Sequence, residues 1–183
     1  MRFISWLELL IAGTDLPQRL MGGVLVCGDA AQQELTGEAL ALIDQYAPEL
    51  RPQCQGLLNR VVATEGDSYY SRSIGVVYVN FSEWTDAFPL AVLILYYLER
   101  GRLFAALPKV RTLEAKARIR ASWIEPRRFV EWYGETHDLE EEEIEAMMEM
   151  IDTLEETQLR DLERSGLYWR VQLLREAFRL LKS

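Results

Sequence analysis

The sequence predicts a mainly α-helical domain: a helical core, a short two-stranded β element, and a C-terminal antiparallel helical hairpin. Three observations predict it. Apolar residues recur at helical spacing through most of the chain, and above all after residue 110. Only two short runs, 24–27 and 74–81, carry strand-like apolar or β-branched composition. Polar residues with helix-capping spacing stand in front of several of the periodic stretches.

Taken in order, Phe3, Leu7, Leu10 and Ile11 share one helical face, which predicts a first amphipathic helix from Arg2 to Ala12. Glu8 interrupts the apolar run and no A-x-A site follows, so this segment does not read as a secretory signal. Gly22-Gly23 precede the strand candidate Val24–Cys27. Asp29 and Gln32 then stand at the spacing of a capping box, and a helix is expected to about Tyr46, with Leu35, Ala39, Leu42, Ile43 and Tyr46 inward. Pro48 and Pro52 close it. Residues 53–63 read as a short helix with Leu57, Leu58, Val61 and Val62 inward, and 64–72 as a loop. Ile74–Phe81 is the best strand, with 24–27 as its expected partner.

Ser82 is placed as the cap of an apolar helix over 83–98, with Pro89 either kinking it or marking its true start. Val110, Leu113, Ala117, Ala121 and Ile124 form the next stripe. A short helix with Pro126 at its first position follows and ends at Gly134. Asp138 with Glu141 repeats the capping spacing before a long helix, whose inner face is Ile144, Met147, Met148, Ile151 and Leu154. Ser165-Gly166 is the expected break. Leu167, Val171, Leu174, Phe178 and Leu181 then make a narrow seam for the second arm of the hairpin.

Length and composition set the wider bounds. The chain has 183 residues, 49% hydrophobic and 27% charged, which excludes a disordered, collagen-like or disulfide-framework protein. It is expected to be one domain over 1–183, with a core subregion 1–105 and a charged helical subregion 106–183. The longest apolar run, Ala87 to Leu98, is too short for a membrane span, which takes about 20 residues, so no membrane association is expected. Cys27 and Cys54 form no CxxC pair and are read as reduced thiols of a cytoplasmic protein.

The net charge of −9 argues against a protein that coats nucleic acid with its whole surface, but the charge is sharply segregated. Residues 100–128 carry nine basic and two acidic side chains, whereas 135–163 carry thirteen acidic and one basic. Glu141, Glu145, Glu149, Asp152 and Glu156 run along one helical stripe. Like charges at this spacing cost about 0.2–0.5 kcal/mol per pair, so something should offset them. The expectation is a non-enzymatic interaction module, an adaptor, regulator or immunity-type inhibitor, that docks a basic protein partner through this stripe and the hairpin. The bland alternative is that the basic segment neutralises the stripe within the molecule.

Two further readings are open. Lys109, Arg111, Lys116, Arg118, Arg120, Arg127 and Arg128, interleaved with aromatics, would serve a nucleic-acid-associated factor. An enzyme would need a pocket near Cys27 and Asp29. Neither G-x-x-x-x-G-K-[ST] nor G-x-G-x-x-G is present there, and Asp29 would repel a phosphate. His137 is the only histidine, and acidic neighbours favour its charged form, which disfavours a general base. No E-x-x-H pair and no calcium loop occur, so no metal, cofactor or catalytic residue is expected. Tyr69, Tyr70 and Arg72 read equally as an interface anchor and as core wall.

Overall fold

In the computed structural model, residues 15–53, 56–71, 74–105 and 112–180 are described. They correct the expected class: the protein is mixed α/β, built on a five-stranded sheet rather than a two-stranded element. The strands are β1 (Gln18–Met21), β2 (Val24–Cys27), β3 (Arg60–Ala63), β4 (Tyr69–Ser71) and β5 (Val76–Val79), in the spatial order β1-β2-β3-β5-β4. The two strands legible in the sequence do not pair. β3 lies between them, parallel to both, with Val26 opposite Val61 and Val61 opposite Val77. The predicted helix over 53–63 is therefore wrong: residues 56–59 form a turn and irregular backbone, and Val61 and Val62 are strand residues facing opposite sides of a sheet. The loop at 64–72 hides β4, which pairs antiparallel with β5 at one edge.

At the other edge β1 forms a hairpin with β2, with Met21 opposite Val24. The two linking residues, Gly22 and Gly23, both have positive φ (53° and 85°), the geometry that matches strand twist in a two-residue turn. Glycine supplies this without a Cβ clash.

The strands alternate their side chains between two faces. Val24, Val61, Val77 and Val79 join the main core, under the helices. Cys27, Val62, Ile74 and Val76 form a second cluster with Leu16, Leu25 and Tyr78. Burial on both faces is what parallel strands require, and it explains why β2, β3 and β5 lack polar alternation.

The helices are α1 (Ala30–Tyr46), α2 (Leu50–Gln53), α3 (Ala87–Ala105), α4 (Thr112–Ser122), α5 (Ile124–His137) and α6 (Glu141–Leu180). α1 begins as its sequence predicts: Asp29 accepts from the Gln32 amide, and the Gln32 side chain accepts from the Asp29 amide, both at 2.9 Å. Its buried face is Gln33, Thr36, Ala39, Leu40 and Ile43, a turn of the wheel away from Leu35 and Leu42, which are half-buried. α3 packs along α1 and is buried almost throughout from Leu90 to Glu99. Pro89 lies in its first turn, where a missing N–H costs nothing, and Asp86 rather than Ser82 accepts from the Phe88 amide.

α4, α5 and α6 close the remaining side of α3. Trp123, fully buried, stacks on Tyr96 of α3 with ring centroids 4.0 Å apart. Phe129 lies among Tyr46, Phe88 and Trp132. Gly134 does not end α5. It lets α6 approach, since a Cβ there would collide with Ile144, and Asp138 closes the helix in the left-handed conformation. The expected hairpin is not formed: α6 is one continuous helix of 40 residues that runs through Ser165-Gly166. A mid-helix glycine costs only about 1 kcal/mol, too little to break a long helix without a proline. The expected first helix, Arg2 to Ala12, and Cys54 lie outside the described residues.

Candidate docking face on the acidic helix

α6 attaches through the face its periodicity predicts. Ile151 is fully buried, and Ile144, Met147, Met148 and Leu154 pack on the core. This turns the acidic stripe outward: Glu141, Glu145, Glu149, Asp152 and Glu156 are all exposed. Glu141, Glu142 and Glu143 occupy the first turn, where the helix dipole favours negative charge and offsets part of their mutual repulsion.

Among the described residues, the basic segment neutralises only the later part of this helix. Arg127 of α5 reaches Asp152 Oδ1 at 2.6 Å and Glu155 Oε2 at 2.9 Å. Arg120 of α4 stands 3.8 Å from Glu155. Burial opposes the Arg127 charge, but its two carboxylate partners outweigh that and raise its pKa. Glu156 pairs within its own helix with Arg160 at 3.9 Å. By contrast, Glu141, Glu145 and Glu149 form no ion pair among the described residues. Sequence reasoning missed Glu155, the best-buried acid of the group. Its signal was its place four residues after Ile151, at the edge of the inner face.

A second polar tie fixes the same stretch of α6. The Tyr96 hydroxyl bonds the Gln158 side-chain oxygen and accepts from Arg100 at 2.8 Å. Burial pushes the Tyr96 hydroxyl pKa up. α6 is thus anchored around Asp152–Gln158, and its acidic first three turns stand clear of the cations that hold it.

The basic residues proposed for nucleic acid are largely engaged. Arg118 donates to the Leu103 carbonyl, Arg120 and Arg127 hold α6, and Arg128 pairs with Glu125 at 2.7 Å. Lys116 is half-buried, and Lys109 and Arg111 lie outside the described residues. Four of the seven, Arg118, Arg120, Arg127 and Arg128, are thus tied to partners within the chain.

Cys27 and Asp29 do not share a pocket. Cys27 is 1% exposed in the second cluster, and burial pushes its thiol pKa up. Asp29 is exposed at the α1 cap, on the rim of a cleft of about 760 Å³ that Cys27 does not line. His137 is exposed and stacks on Tyr133 at 4.1 Å. Tyr70 belongs to the core wall: its hydroxyl donates to the Leu57 carbonyl at 2.7 Å and its ring stacks on Tyr97. Tyr69 is half-exposed and stacks on Tyr78, while Arg72 lies outside the described residues. Among the described residues no three His, Cys, Asp or Glu side chains come close enough to hold a metal ion, and no helix is long and apolar enough to cross a membrane. Compared with protein-family models, with curated proteins and with solved structures, the chain matches none.

Proposed function

We propose that this protein is a non-enzymatic interaction module that docks a basic protein partner on the exposed acidic stripe of α6. One observation carries the reading. Arg120 and Arg127, the cations of α4 and α5 that reach α6, meet only Asp152 and Glu155, and Glu141, Glu145 and Glu149 face solvent without an ion pair among the described residues. A solvated stripe of one sign steers a partner of the other sign and sets its register, acting on association rate more than on affinity. The buried free thiol of Cys27 supports placing the protein in the reducing cytoplasm.

The test is affinity capture from nuclease-treated native lysate, with wild type set against a Glu145→Lys/Glu149→Lys variant. Asp152 is left alone because reversing it would also break the Arg127 pair. A stoichiometric protein bound by the wild type, released by salt and lost in a variant of unchanged melting temperature is the expected result. Equal capture by both proteins refutes the assignment, and partners lost on nuclease treatment shift it to nucleic acid.

A further inference from the structure

The cleft beside Asp29 arises from the way the chain leaves the sheet. From the end of β2 it turns into α1, whereas from the end of β3 it crosses the end of β5 to reach β4, with the Thr64 amide donating to the Val79 carbonyl at 2.9 Å. A crevice lies outside the carboxyl ends of the parallel strands β2, β3 and β5, the end of an open α/β sheet at which ligands bind. One wall is the α1 face bearing Glu34, Leu35 and Glu38; the other carries Thr64, Glu65, Asn80 and Phe81. Asn80 is held firmly: its amide donates to the Ser68 hydroxyl, and its side-chain oxygen accepts from both the amide and the hydroxyl of Ser82. The volume of about 760 Å³ lies within the range of small-molecule sites.

The lining selects the ligand's charge. Among the described residues it contains four carboxylates, Asp29, Glu34, Glu38 and Glu65, and no lysine or arginine. None of the four forms an ion pair among the described residues. Phosphates and carboxylates are therefore repelled, and the Asp29 side chain already fills the α1 N-terminus that would attract them. A single metal ion is equally unsuited, because no three of these groups converge. Charge spread along two walls, with apolar Leu35 on one and Phe81 on the other, matches a ligand whose own charges are spread along an apolar chain.

We infer that this crevice binds a linear aliphatic polyamine, its ammonium groups meeting the carboxylates of α1 and the β3–β4 connection and its methylenes lying over Leu35 and Phe81. The site is distinct from the α6 stripe and does not depend on it. Spermidine is the probe, titrated calorimetrically into the full chain at physiological salt. Three proteins are compared: wild type, a Glu34→Gln/Glu38→Gln/Glu65→Gln variant, and a Glu145→Gln/Glu149→Gln variant. All these carboxylates are exposed, so matched melting curves are expected. Binding weakened about tenfold by the cleft substitutions and unchanged by the α6 substitutions is the expected result. Amide shifts confined to residues 29–38, 64–65 and 80–85 would accompany it. No measurable heat at about 1 mM spermidine, equal weakening in both variants, or full displacement by magnesium at matched ionic strength would each overturn the site and leave only diffuse attraction to an acidic surface.

Discussion

Arg127 decides how much of the acidic helix is spent inside the molecule, and its removal separates structural from outward-facing charge. Arg127 is 31% exposed, Glu155 15% and Asp152 66%. Two unit charges about 4 Å apart attract by about 4 kcal/mol at an effective dielectric of about 20, before desolvation is subtracted. Exposed pairs retain about 0.2–1 kcal/mol of this, while leaving one member of a well-buried pair alone costs about 3–5 kcal/mol. The Glu155 contact lies between those limits and the Asp152 contact near the lower one. Arg120, 3.8 Å from Glu155, compensates in part. Arg127→Ala is therefore expected to cost about 2 kcal/mol, or about 4–8 °C in Tm for a chain of this size. Double-mutant cycles by urea denaturation should give a coupling of about 1–2 kcal/mol with Glu155→Ala and below about 0.5 kcal/mol with Asp152→Ala. The same substitution frees two carboxylates, so a basic partner should associate faster with Arg127→Ala than with wild type at low salt. Equal couplings, or slower association in a variant that remains folded, would refute the division of charge described above.

Two more predictions concern the fold beneath the site. Gly75 has φ 63°, and a Cβ there would lie 2.9 Å from the Gly56 carbonyl oxygen and 3.1 Å from that of Leu57. Gly75→Ala should therefore destabilise by about 1–2 kcal/mol or more through strain ahead of β5, read as a lower urea midpoint at unchanged slope. The hydroxyls of Tyr46, Tyr96 and Tyr97 are all held above their ordinary pKa of 10.0, mainly by burial, with Glu125 adding to the effect at Tyr46. The folded state thus holds these protons more tightly than the unfolded state. Their contribution is complete below pH about 10 and is lost as pH rises through the folded values. Stability measured from pH 8 to about 11.5 should fall at the alkaline end, and less steeply in Tyr97→Phe. A flat profile would contradict the burial of these rings.

The order of difficulty along the chain has a physical cause. Helices satisfy their backbone locally, so a periodic stripe and a cap suffice to reveal them: the Asp29–Gln32 cap of α1 and the Ile144–Leu154 face of α6 stand in the structure as read. That Glu141, Glu145 and Glu149 stay exposed, and are not covered by the basic segment, was decided by the fold. A strand takes its partners from elsewhere in the chain, and all five strands are three or four residues long, too short for a period-two pattern; β2 and β5 were legible through unbroken apolar or aromatic composition, which β1, β3 and β4 lack. Gly22-Gly23 between two short runs was the one local signal for the β1–β2 hairpin. Nothing local could reveal that Val61 stands between Val26 and Val77, since that depends on α1 carrying the chain across one face of the sheet.

The sequence by itself determined the inner face of α6, which depends only on the 3.6-residue period, and the segregation of charge, which is read directly along the chain. The tertiary structure alone decided the parallel sheet, the crevice at its carboxyl edge, and the capture of Asp152 and Glu155 by Arg127. Those depend on segments 16 or more residues apart being brought together, as Val61 and Val77 or Arg127 and Asp152 are, by burial of apolar surface that no local pattern specifies.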